Sequence, residues 1–101
     1  MADKKKIALV VGANGGIGFS ATCRLLEDNF FVCATYFNNK SNLEGIKETN
    51  EDLSKSLFTK SLDVRDEIKV SELVERILNK FKRIDAVVFS VSEEYKYSRV
   101  L

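Results

Sequence analysis

A continuous apolar run, Ile7-Ala8-Leu9-Val10-Val11, leads directly into Gly12-Ala13-Asn14-Gly15-Gly16-Ile17-Gly18, and a segment with helical spacing follows. Few folds accept that order. A strand without a polar face belongs inside a parallel sheet covered on both sides. Glycines at 12, 16 and 18 let the backbone turn sharply and present N–H groups where side chains would otherwise intrude. At the start of a helix those orphan donors and the helix dipole point the same way, which makes an anion site. The natural guest is a dinucleotide pyrophosphate. The spacing is G-x-x-x-G-x-G rather than G-x-G-x-x-G, and a glycine-rich turn can serve structure alone, so the rest of the chain decides.

That rest alternates. Ile17, Ala21 and Leu25 recur at every fourth position, widened by Cys23 and Leu26, and predict a helix on the sheet that stops near Asn29. Phe30 to Tyr36 is aromatic and β-branched, a second strand. Ser41-Asn42-Leu43-Glu44 has the form of a capping box and opens a thin helix whose apolar face is Leu43, Ile46 and Leu53, weakened by Gly45. Ser56 to Leu62 reads as a third strand, and Asp66 as the N-cap of the next helix. In that helix Val70, Leu73, Val74, Ile77, Leu78 and Phe81 fit the helical period without a miss. Asp85 to Ser90 completes the pattern as a fourth buried strand. The tail from Ser92 to Leu101 is polar and unperiodic.

The resulting order, β-α-β-α-β-α-β, predicts a three-layer α/β fold of Rossmann type, with right-handed crossovers and strand order 3-2-1-4. Residues 1–101 form one dinucleotide-binding domain in this reading. Any ligand would lie beyond the carboxyl ends of the strands.

Composition narrows the function by exclusion. Sixteen basic and fifteen acidic residues leave a net charge of +1, which gives no footprint for nucleic acid or an anionic membrane. No apolar stretch is long enough to span a bilayer, and Met1 to Lys6 reads as a solubilising tail before a strand. Cys23 and Cys33 are expected as buried free thiols in a reducing cytoplasm. The chain has no histidine, so the commonest general base and metal ligand are both missing. Glu93-Glu94 reads as solvated charge.

Taken together, these residues resemble the short-chain dehydrogenase/reductase family, in particular its 3-oxoacyl-carrier-protein reductase-like members. Val11 to Gly18 is similar to the family's T-G-x-x-x-G-I-G, with valine in place of threonine. Tyr36-Phe37-Asn38-Asn39-Lys40 stands where the family reads the adenosine ribose. Leu62-Asp63-Val64 resembles its L-D-V, whose aspartate and following residue hold adenine. Ile84-Asp85-Ala86-Val87-Val88 resembles the strand leading into its N-N-A-G. The resemblance implies cofactor contacts at Gly12, Asn14, Gly15, Gly16, Ile17, Gly18, Tyr36, Asn38, Asp63, Val64 and Ser90. It also implies an oxidoreductase that reduces carbonyls, 3-oxoacyl thioesters being one candidate, with this chain as the cofactor-binding portion.

Two departures shape the expectation. Phe89-Ser90-Val91-Ser92 stands in place of N-N-A-G. The family's catalytic Ser, Tyr and Lys would follow this strand, and Tyr95 and Tyr97 have Arg99 and Leu101 four positions on instead of lysine; no catalytic residue is assigned. A non-catalytic nucleotide-binding or interaction module is the alternative. No acid occurs between Asn29 and Ser41 to accept from a ribose 2′-OH, and Lys40 is near, so NADP is favoured over NAD. The last strand would leave an open apolar edge, which predicts self-association or association with a C-terminal portion of the fold.

Overall fold

A computed structural model describes residues 5–90. In chain order the elements are β1 (Lys6–Val11), α1 (Gly16–Glu27), β2 (Phe30–Tyr36), α2 (Ser41–Thr49), α3 (Glu51–Ser54), β3 (Leu57–Ser61), α4 (Glu67–Phe81) and β4 (Ala86–Phe89). The strands form one parallel sheet in the order β3-β2-β1-β4, as expected.

The unbroken apolar run of β1 is explained by two cores, one on each face. Ala8 and Val10 point to a cluster completed by Val32, Ala34 and Leu57 and covered by Leu26 of α1 and Leu43 and Ile46 of α2. Ile7, Leu9 and Val11 point the other way, to Cys33, Leu62 and the α4 residues Leu73 and Ile77. Alternate side chains of one strand thus serve opposite layers. Burying a side chain such as Leu43, which has no exposed surface, is worth about 1.5–3 kcal/mol.

Several local expectations are corrected. The buried row of α1 is Gly18, Thr22 and Leu26, while Ile17 is 76% exposed. The reason is close approach: a Cβ at residue 18 would collide with the Gly12 carbonyl, so only glycine lets α1 seat against the turn. Thr22 satisfies its buried hydroxyl by donating to the Gly18 carbonyl at 2.9 Å. Asn29 does end this helix region, at φ 69°.

The segment after β2 is two helices rather than one. Asn50, extended at φ −145°, breaks it and caps α3 by accepting from the Leu53 N–H at 3.1 Å. Ser41 is not the N-cap of α2; Lys40 takes that position and no side chain of its own caps it. Asp66 caps α4 as expected, accepting from the Lys69 N–H at 3.2 Å. Leu78 of α4 is 43% exposed, and β4 is not buried on both faces: Val87 and Phe89 are 60% and 57% exposed. They lie on the α4 side at the sheet margin, beyond the reach of that helix. Cys33 is buried, but Cys23 is only half-buried.

Candidate dinucleotide-binding site

Because every strand is parallel, all four carboxyl ends fall on one edge of the sheet, and the sequence-expected residues gather there. Gly12 to Gly18 follow β1, Tyr36 and Asn38 follow β2, Asp63 and Val64 follow β3, and Ser90 follows β4. The register explains the meeting: Val11 pairs with Phe89, Val10 with Ala34, and Tyr36 with Ser61.

The turn after β1 is held from two sides. The Ala13 N–H donates to the Thr35 carbonyl at 2.7 Å, and the Gly12 N–H donates to Thr35 Oγ1 at 3.3 Å. Thr35 Oγ1 in turn donates to the Val10 carbonyl at 3.4 Å. On the other side Gly12, at φ +79°, lies flat against the Ser90 carbonyl, where no Cβ would fit. Buried Thr35 was missed by sequence reading, which took Phe30 to Tyr36 only as a strand; its one signal is a hydroxyl inside an otherwise apolar strand end.

Gly15 and Gly16 are different. A Cβ on either would meet nothing within 4 Å, and Gly16 is in the left-handed region at φ +55°. Gly15 is the N-cap of α1, with no side-chain cap and no acid in the first turn. Bare backbone, an uncapped helix dipole and open space therefore coincide. Ile17 extends from this first turn into solvent. The arrangement fits a pyrophosphate, which needs N–H donors and room rather than a side chain.

Further along the edge, Tyr36 is half-buried against the α1–α2 core, and its carbonyl accepts from the Leu62 N–H at 2.8 Å. Asn38 is exposed. Asp63 is engaged by Arg65: Oδ1 accepts from the backbone N–H at 3.0 Å and from Nε at 2.9 Å, and Oδ2 accepts from the guanidinium at 2.8 Å. These bonds, the side-chain one foremost, hold the Asp63 carboxyl below the usual carboxylate range. Arg65 also lies 5.4 Å above the centre of the Phe37 ring. Val64 turns inward and packs on the α4-side core. The Asn14 side chain points away from the cradle toward α2.

An apolar groove of about 130 Å³ between α4 and the start of β2 has Phe31, Phe58 and Phe81 in its walls and Arg76 and Lys80 at its rim. Phe31 pairs with Ile7 at the opposite end of the sheet, so this groove is separate from the carboxyl edge. Among the described residues no cluster of His, Cys, Asp or Glu could hold a metal, and no helix is long and apolar enough to cross a membrane.

The fold is a Rossmann-type parallel α/β sheet, and comparison specifies the family. The short chain dehydrogenase profile matches residues 6–96, and the chain belongs to that family. It is 37% identical over 92 residues to (−)-isopiperitenone reductase from Mentha piperita, covering 87% of this chain and 29% of that protein. It is 31% identical to the 3-oxoacyl-[acyl-carrier-protein] reductase of Thermotoga maritima, covering 82% of this chain and 33% of the relative. The structure of menthone neomenthol reductase from Mentha piperita superposes with a TM-score of 0.74 at 31% identity, over 89% of this chain and 32% of that one. ElxO with NADP bound superposes with a TM-score of 0.74 at 29% identity, over 86% of this chain and 35% of that one. The chain thus spans about a third of the length of the relatives it matches.

Proposed function

We propose that residues 1–101 form the dinucleotide-binding domain of an NADP(H)-dependent carbonyl reductase, with 3-oxoacyl thioesters as a candidate substrate class. The observation that carries this reading is the open cradle at Gly15 and Gly16 on the uncapped start of α1. When bound, the nicotinamide supplies a hydride to the carbonyl carbon. The chain's own part is to bind and orient. The cradle N–H groups take the pyrophosphate, while Gly12, Gly18 and the backbone around Asn14 shape the turn. Ile17 covers the bound chain, Tyr36 and Asn38 face the ribose, and Asp63 with Val64 meets adenine. Ser90 flanks the nicotinamide side.

NADP is preferred over NAD in this reading because no carboxylate stands between Asn29 and Ser41 to repel a 2′-phosphate. Lys40 supports it: among the described residues its ion pair is a loose 4.0 Å contact with Glu44, so its charge remains available. The two free cysteines support a reducing compartment such as the cytoplasm.

Phe89 and Ser90, standing where the family carries paired amides, favour a second reading, a nucleotide-binding module without the reaction. Titration calorimetry with NADPH and NADH tests the first part of the proposal: NADPH is expected to bind more tightly, and tighter NADH would overturn the NADP assignment. Carbonyl reduction by the whole protein separates the two readings, since a module without the reaction would bind NADPH and turn over nothing.

A further inference from the structure

The cradle after β1 and the ribose corner after β2 are tied together by one side chain. Asn14 Oδ1 accepts from the Asn42 N–H at 2.9 Å and from the Leu43 N–H at 3.2 Å, and Asn42 Nδ2 donates back to the Asn14 carbonyl at 2.6 Å. Asn39 Oδ1 takes the Ser41 N–H at 2.9 Å, and the Lys40 carbonyl takes the Glu44 N–H at 2.9 Å. The N–H groups of residues 41 to 44 are therefore all occupied from within the chain. The start of α2 offers no backbone donor to a ligand.

A residue of the glycine turn thus acts as the cap of a helix 28 positions further along. Such a cap ordinarily stabilises the helix that it starts. Here it does more, because one end lies in the glycine turn and the other at the start of α2, just beyond the ribose corner. Leu43, anchored in the core with no exposed surface, fixes the α2 end. Thr35 fixes the turn end through Ala13, the residue before Asn14. The clasp between these anchored ends sets the distance from cradle to corner.

We propose that Asn14 is a positioning residue for the dinucleotide: its side chain is spent on the start of α2, and so it fixes the spacing between the cradle at Gly15–Gly16 and the segment that follows the ribose corner at Tyr36–Asn38. The inference rests on the proposed function and deepens it. A ligand that spans both halves gains from a spacing set in advance, as any bivalent ligand does, whereas a ligand of one half does not.

The test is calorimetry with NADPH, which spans both halves, and with adenosine 2′-monophosphate, which occupies only the corner. Asn14→Ala is expected to weaken NADPH by about tenfold and the monophosphate by less than about twofold, a difference that simple loss of helix stability would not produce. Amide exchange at Asn42 and Leu43 should quicken in the same variant, and NADPH should slow it in the wild type. Should Asn14→Ala not fold, Asn42→Ala removes only the Nδ2 bond and is expected to show the same asymmetry, with a smaller loss of about threefold. Equal losses for the two ligands, or no loss for either, would overturn the positioning role alone. Failure of the wild type to bind NADPH would overturn the proposed function and this inference together.

Discussion

Gly12 and Ser90 meet backbone to backbone: a Cβ at Gly12 would land on the Ser90 carbonyl oxygen, while the Ser90 N–H donates to the Val11 carbonyl at 2.9 Å. The end of β4 is thus docked on the first residue of the glycine turn, and the turn has no room to change. Gly12→Ala forces a side chain into this contact and into φ +79°. The left-handed conformation alone costs about 1–2 kcal/mol, and the collision adds to it. Urea denaturation is expected to show at least that loss. Gly15→Ala, at φ −147° with open space around it, is the control and should lose less than about 1 kcal/mol, the ordinary cost of alanine at an N-cap. Matching midpoints for Gly12→Ala and Gly15→Ala would contradict the contact.

Acid should weaken the other end of β4. Asp85 Oδ2 accepts from the Ile7 N–H at 2.7 Å, and the Asp85 N–H donates to the Ile7 carbonyl at 2.7 Å. The Arg83 side chain first, and the Ile7 amide second, hold the Asp85 carboxyl below its usual range, as Arg65 does for Asp63. A carboxyl depressed in the folded state stabilises the fold while ionised. That contribution is complete above the unfolded value, about 3.9 for aspartate, and is lost as pH falls through the folded value. Melting temperature should hold steady from about pH 5 upward and fall below about pH 4, with a shallower fall in Asp85→Asn. An identical acid limb in wild type and variant would rule out Asp85 as a contributor.

The expected association has a structural counterpart in β4. It is the last strand in the sheet order, and among the described residues no strand pairs its outer edge. Val87 and Phe89 lie exposed beside that edge, and apolar open edges recruit other chains. Light scattering of the 101-residue chain is expected to give a dimer or larger species, and Phe89→Lys should shift it toward monomer. A monodisperse wild-type monomer at high concentration would contradict this.

Much of this fold was legible because the period of the apolar pattern changes cleanly between elements. Ile7 to Val11 announced a doubly covered strand, and both of its faces are indeed packed. One end of the α1 face was misread for a physical reason: Cys23, Leu25 and Leu26 pack on the core as expected, but Ile17 does not. Residues 17, 21 and 25 form a more apolar row than 18, 22 and 26, yet close packing against the turn selects the row with Gly18 and Thr22. Hydropathy scores transfer from water; it does not score how near two backbones must come. Capping of α2 was misassigned because Ser41 and Glu44 satisfy the local motif, while the acceptor that wins, Asn14, is distant in sequence. The same limit hid Thr35, whose role depends on strand register, and Arg65, whose hold on Asp63 depends on side-chain placement. The gathering of Gly12, Tyr36, Asp63 and Ser90 on one edge was readable, since parallel strands put their carboxyl ends together.

The central claim is that the cradle at Gly15 and Gly16 receives the pyrophosphate of NADP(H). The most direct measurement is NADPH affinity, by calorimetry, of wild type against Gly16→Val, with circular dichroism confirming that both are folded. A side chain at Gly16 enters open space next to the uncapped start of α1, so it can occupy the cradle without displacing the core, although φ +55° strains it by about 1–2 kcal/mol. Wild type is expected to bind, and Gly16→Val to lose at least about tenfold in affinity, since the phosphate can no longer reach the backbone donors. Equal NADPH affinity in the two folded proteins would contradict the account.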